Sequence, residues 1–264
     1  MDTIKVGDID ICYRTQGGGY PLVLIRGFTA SMEEWNPLLV DALAERYRVL
    51  VFDNRGAGNT TAPPGSFTMK QFADDTAGLM EALGIDRGYV LGESMGGMVA
   101  QEVVLNHPEK VEKLALCCTF CGGDEAVFPS QEVIELMADR TGTPEEMTRR
   151  GLPLLFPDAW IKENPDAIDA VVSRALKYPM AEENVERQFE AILGFSTFER
   201  LPEIECPTLV ACGTVDRIVP RENSRILSGR IPDSTRIEFD GAGHGFMEQC
   251  REEFVEKFLE FLGG

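Results

Sequence analysis

Gly92-Glu93-Ser94-Met95-Gly96 sits between two stretches of opposite periodicity. Before it, Arg87-Gly88-Tyr89-Val90-Leu91 is short, apolar and β-favouring, which predicts a buried strand. After it, the run from Met95 to Asn106 (MGGMVAQEVVLN) predicts a helix. A serine pinned between a strand end and a helix start is the setting in which Gly-x-Ser-x-Gly acquires chemical meaning. The turn is sharp enough to strain the serine backbone, and positions 92 and 96 then crowd until only very small residues fit. Ser94 is expected to be a nucleophile.

A serine hydroxyl needs a base, and the base needs an orienting acid. The chain has only two histidines. His107, in Asn106-His107-Pro108, falls at the end of the helix after Ser94, where the dipole favours it without any catalytic task. His244 lies in the glycine-rich loop Gly241-Ala242-Gly243-His244-Gly245, after the strand-like run Ser234 to Phe239, and is the expected base. The buried strand Thr208-Leu209-Val210-Ala211-Cys212 runs into Gly213-Thr214-Val215-Asp216, which supplies the acid. Asp216 is also placed to cap the next helix. The chain order Ser94, Asp216, His244 differs from that of chymotrypsin-like and subtilisin-like proteases.

Apolar runs at 21–26, 48–53, 88–92, 113–118, 207–212 and 235–239 predict central strands, preceded by a hairpin at 4–6 and 9–13. Helical patterns alternate with them. The segment 68–83 places Phe72, Leu79, Met80 and Leu83 on one stripe behind Thr68 as a cap, and Phe254, Phe258, Leu259 and Leu262 mark a closing helix. Alternation of this kind predicts an α/β fold, a mostly parallel sheet with helices on both faces. The interval 122–205 breaks the rhythm: it offers helices at 131–140, 145–152, 166–176 and 182–193 and no convincing strand.

The 264 residues suffice for a sizeable core. With 25 basic and 44 acidic residues the net charge is −19, which opposes binding to nucleic acid or anionic membranes. No apolar run approaches the roughly 20 residues that span a bilayer, and the start, Met1-Asp2-Thr3-Ile4-Lys5-Val6, looks like a strand and not a leader. Seven cysteines, several in core-like positions, predict reduced thiols and a cytoplasmic home. Cys118-Thr119-Phe120-Cys121 lacks the further ligands of a zinc site and the helix start of a redox motif, so packing is expected. Gly17-Gly18-Gly19 and Gly56-Ala57-Gly58 lack the lysine and spacing of a phosphate loop and read as turns.

Taken together, the Gly-Glu-Ser-Met-Gly-Gly and Gly-His-Gly segments, the strand and loop Pro21-Leu22-Val23-Leu24-Ile25-Arg26-Gly27-Phe28, and the turn Asp53-Asn54-Arg55-Gly56-Ala57-Gly58 give the chain a resemblance over nearly its whole length to the α/β-hydrolase superfamily. It looks most like small 3-oxoadipate enol-lactonases, carboxylesterases and meta-cleavage-product hydrolases. The resemblance implies a core at 1–121 and 206–264 and an inserted helical lid, or cap, at 122–205. It implies an oxyanion hole from the backbone N–H groups of Phe28 and Met95, with the helix dipole at Met95 adding to it. Where the family usually carries histidine before Gly27, this chain carries Arg26, which is expected either to hold a substrate carboxylate or to pair with a structural one. Trp160 and Phe246 are further candidates for substrate contact.

The expected activity is that of a serine hydrolase without cofactor or metal, cleaving a small carboxylic ester or lactone, as a monomer or homodimer. A carbon–carbon bond hydrolase would use the same residues on a dienone. A proline-type aminopeptidase would need an acidic clamp, for which Glu182 and Glu183 are available. A ligand receptor on the same fold would bind without rapid turnover.

Overall fold

The computed structural model describes residues 1–263. Eight strands form one sheet in the order β1-β2-β4-β3-β5-β6-β7-β8. They are β1 (Asp2–Val6), β2 (Ile9–Gln16), β3 (Tyr20–Ile25), β4 (Tyr47–Phe52), β5 (Gly88–Glu93), β6 (Val111–Cys117), β7 (Thr208–Gly213) and β8 (Ser234–Phe239). β1 and β2 form the expected hairpin, and β2 joins β4 antiparallel. All the remaining pairings are parallel.

The central strands are covered on both faces, so their side chains divide by parity. Val23 and Ile25 of β3 and Leu50 and Phe52 of β4 enter one apolar layer. Leu22 and Leu24 with Val49 and Val51 enter the other. A continuous apolar run is what a parallel strand buried on both faces requires. The first layer is closed by α2 (Met69–Ala82), α3 (Met95–Asn106) and α9 (Glu222–Arg230); the second by α1 (Pro37–Ala44), the short α10 (Phe246–Gln249) and α11 (Arg251–Leu262). Thr68 caps α2, its side chain accepting from the Gln71 N–H. α1 and α10 were not anticipated from periodicity; both are short.

Between β6 and β7 the chain leaves the sheet for five helices, α4 (Gln131–Ala138), α5 (Pro144–Leu155), α6 (Asp158–Glu163), α7 (Pro165–Ala175) and α8 (Glu182–Leu193). The neck of this excursion is narrow: Gly122 bridges to Ser196, and the Thr197 N–H donates to the Cys121 carbonyl at 2.8 Å. The chain closes this neck at Ser196 and Thr197, ahead of β7. Leu152, Phe156, Ile168 and Val172 form a small apolar cluster of the insertion's own, whereas Ala191 and Phe195 join the main core.

Candidate active site

Ser94 occupies the single residue between β5 and α3, with φ 56° and ψ −121°. No side chain adopts that backbone freely; it persists only where the surroundings over-determine it. They do so here. The Ser94 N–H donates to the Cys117 carbonyl and its own carbonyl accepts from Gly97, both at 2.9 Å. A Cβ at Gly92 would stand 2.2 Å from the Gly96 carbonyl oxygen, and one at Gly96 would stand 2.1 Å from that of Ile25. Glycine at both positions lets the helix start pack directly on the strand ends.

His244 and Asp216 meet from the loops after β8 and β7. His244 Nδ1 lies 2.8 Å from Asp216 Oδ2, and both residues are buried. A carboxylate only accepts, so Nδ1 carries the proton and Nε2 is left as the basic nitrogen. The other oxygen, Oδ1, accepts from the N–H groups of Ile218 and Val219 at 2.9 Å each. Asp216 thus does two jobs with two oxygens, although the cap it provides serves a turn, since α9 begins only at Glu222. Burial favours the neutral imidazole, but the Asp216 carboxylate outweighs it and holds the His244 pKa above its usual 6.5. Glu93 pushes the same way and Arg26 opposes.

The glycines flanking His244 have a steric cause. A Cβ at Gly243 would lie 2.5 Å from the Leu155 carbonyl oxygen, and one at Gly245 would lie 2.3 Å from the Phe156 ring. The Gly245 N–H also donates to Leu155 O at 2.9 Å. The end of α5 therefore rests on the histidine loop. Ser94 is half-exposed, and its hydroxyl makes no hydrogen bond among the described residues. The N–H groups of Phe28 and Met95 likewise have no partner among the described residues.

Arg26 is not free. Its Nη1 lies 2.5 Å from Glu93 Oε2, and its guanidinium stacks over Trp35 at 4.8 Å from the ring centroid. A cavity of about 110 Å³ opens beside this pair and is lined by His244, Glu34, Arg174, Glu248, Leu155 and Phe156, among others. Arg174 is bound to Glu248 at 2.8 Å. Among the described residues Glu34 accepts only from the Ser31 N–H, at 2.9 Å, and has no cation partner. Burial raises its pKa, with Arg26 opposing.

Of the predicted site residues, Arg26 and His244 line this cavity, whereas Ser94, Asp216, Phe28, Met95, Trp160 and Phe246 do not. Phe246 is wholly buried, stacked on Phe239 at 4.9 Å between ring centroids and packed on Phe254 at 5.6 Å. The chain turns into α10 there, which aims the ring at the core and not the loop. Trp160 stacks on Phe156 at 4.8 Å within the insertion's own cluster. Glu182 and Glu183 are exposed at the start of α8. His107 caps α3 and pairs with Asp74 at 2.9 Å. Cys118 and Cys121 are buried with thiol pKa values raised by burial, the reverse of a reactive thiol. Glu34, Arg174 and Glu248 were missed because nothing in their local sequence distinguishes them from surface charge.

The fold and the elbow define a class, and similarity agrees with them: the chain belongs to the α/β-hydrolase family, whose model, described as the α/β hydrolase fold, matches residues 20–249. Among its relatives is RutD of Azorhizobium caulinodans, which carries the provisional name carbamate hydrolase, 30% identical over 257 residues that cover 97% of this chain and 96% of that one. Similar solved structures include the enol-lactonase of Burkholderia xenovorans LB400, with 26% identity, full coverage of both chains and a TM-score of 0.87. Another is a thermophilic esterase of Thermogutta terrifontis, with 28% identity, coverage of 99% and 98%, and a TM-score of 0.82. Among the described residues no helix is long and apolar enough to cross a membrane.

Proposed function

We propose that the protein is a serine hydrolase that cleaves a small carboxylic ester or lactone through an acyl-enzyme on Ser94. The observation that carries this reading is the Ser94 backbone at φ 56°, ψ −121° on the N-terminus of α3. Strain of that kind is costly in a merely structural turn. His244 Nε2 takes the proton as Ser94 Oγ attacks the substrate carbonyl. Asp216 holds the ring and stabilises its charged form. The N–H groups of Phe28 and Met95 receive the oxyanion, His244 protonates the leaving group, and the same nitrogen then activates water to release the acid. No metal or cofactor takes part in these steps.

In this reading the helical insertion is a lid, and its contact with the histidine loop through Leu155 and Phe156 supports that role. The cavity of about 110 Å³ reaches His244 but is not lined by Ser94, Phe28 or Met95, so in this reading it takes a substrate group on the far side of the base. Both guanidiniums at the cavity already hold carboxylates, which speaks against Arg26 as a clamp for an anionic substrate. The unpaired Glu34 favours a neutral group or one bearing a hydrogen-bond donor. Seven unbridged cysteines suit a cytoplasmic setting.

A second reading is favoured by the 30% identity to RutD: a carbamate, passing through a carbamoyl-enzyme on the same serine. One experiment covers both. Wild type and Ser94→Ala are assayed on matched small esters, lactones and carbamates, and the acylated serine is trapped and located by mass spectrometry. Turnover untouched by Ser94→Ala would overturn the proposal; the preferred panel member decides the substrate class. A vinylogous diketone in the same panel tests carbon–carbon cleavage.

A further inference from the structure

Among the described residues Thr29 is one of three non-glycine residues with positive φ, at 61°. It directly follows Phe28. Its N–H does not bond within its own loop but donates to Gln188 Oε1 at 2.9 Å, across from α8 of the insertion. Gln188 is wholly buried, and its Nε2 has no partner among the described residues. Only the carbonyl end of this side chain is used, and it is used on the residue after Phe28. The next residue of α8, Phe189, packs its ring 6.3 Å from that of Phe28. α8 is in turn fixed to the core: Asn184 donates to the Gly56 carbonyl at 3.1 Å, and the Arg187 guanidinium lies 3.8 Å from the Phe67 ring centroid.

We infer that Gln188 is a positioning residue for the oxyanion hole, holding the Phe28–Thr29 backbone so that the Phe28 N–H faces the developing charge. This rests on the serine-hydrolase reading. The left-handed Thr29 needs an external restraint; the Phe28–Thr29 peptide that Gln188 holds adjoins, through the Phe28 Cα, the Gly27–Phe28 peptide that carries the donor N–H, and a preorganised donor is effective only if it is held before reaction. Because the restraint comes from the insertion, displacement of α8 would disorder the donor as well as open the site. Insertion and catalytic backbone then form one unit.

The test compares Gln188→Met, which removes the acceptor at similar length, with Gln188→Glu, which keeps it. Gln188→Met should lower kcat about 10- to 100-fold, less than the ~10²–10³ of losing a donor outright, with KM changed less than about twofold. Affinity for a trifluoromethyl ketone, whose adduct places an oxyanion in the hole, should fall by the same factor as kcat/KM. Gln188→Glu should restore both to within about threefold. Wild-type-like kcat and inhibitor affinity in Gln188→Met would overturn the inference. So would equal losses in both variants that track their thermal midpoints, since that pattern belongs to packing. Retention of turnover by Ser94→Ala, with no fluorophosphonate adduct on the wild-type serine, would remove the hydrolase reading and the inference with it; the two failures are thus told apart.

Discussion

Arg26 and Glu93 form an ion pair at 2.5 Å that ties the loop carrying Phe28 to the turn carrying Ser94. The pair also sets the charge around His244, because Glu93 raises the imidazole pKa and Arg26 lowers it. The sign is fixed. With a raised pKa, His244 becomes a neutral base only above pH 6.5, so kcat/KM should rise with pH through a midpoint above that value. Glu93→Gln should move the midpoint down and Arg26→Ala should move it up. A pH–rate profile of the three proteins checks the order, and coincident profiles would dismiss the coupling. Arg26→Ala also strands Glu93 in a largely buried site, at a cost of about 3 kcal/mol or more.

Asp216→Asn isolates the orienting role. The amide oxygen can still accept from Ile218 and Val219, so the turn and the thermal midpoint should survive. The amide nitrogen, however, faces His244 Nδ1 and donates, which forces the proton onto Nε2. The ring then cannot take the serine proton, and kcat should fall about 10⁴-fold, the loss known for this change in a serine protease. Steady-state kinetics beside a melting curve are sufficient, and a fall under about tenfold would contradict the assigned tautomer.

Gly96→Ala should destabilise the fold itself. Its methyl would meet the Ile25 carbonyl at 2.1 Å, a backbone atom that cannot move aside. The expected loss is at least ~2 kcal/mol, or roughly 4–8 °C in thermal midpoint for a chain of this size. Gly151→Ala, inside α5 with open space around it, is the control and should be neutral or gain about 0.5–1 kcal/mol. A Gly96→Ala protein as stable as wild type would refute the packing argument.

Arg55 offers a stability test outside the site. It binds Asp75 through two contacts of 2.8 and 2.7 Å and Asp8 through one of 2.8 Å, with only 4% of its side chain exposed. Arg55→Leu leaves Asp75 buried without a partner and should cost about 3–5 kcal/mol. kcat per folded molecule should stay near wild type. Denaturant unfolding and active-site titration separate the two quantities.

Much of the fold was legible because parallel strands buried on both faces leave unbroken apolar runs, as at Leu22–Ile25 and Val49–Phe52. The candidate triad was legible because Ser94, Asp216 and His244 each sit where a strand ends in a tight glycine-bearing turn. Phe246 was misjudged as a substrate contact because the sequence does not show that α10 turns its ring into the core. Helix α10, four residues long, is too short to leave a period. Glu34, Arg174 and Glu248 come from three separate elements and share one cavity only after folding.

Local chemistry alone determined the strand–serine–helix elbow, the two-faced sheet and the identity of the only histidine in a glycine loop, since these arise from backbone sterics and side-chain periodicity. What the folded arrangement decided was which charges find partners: Arg26 with Glu93, Arg174 with Glu248, Gln188 with the Thr29 backbone. Such pairings depend on distances between segments far apart along the chain, and no local pattern encodes those distances.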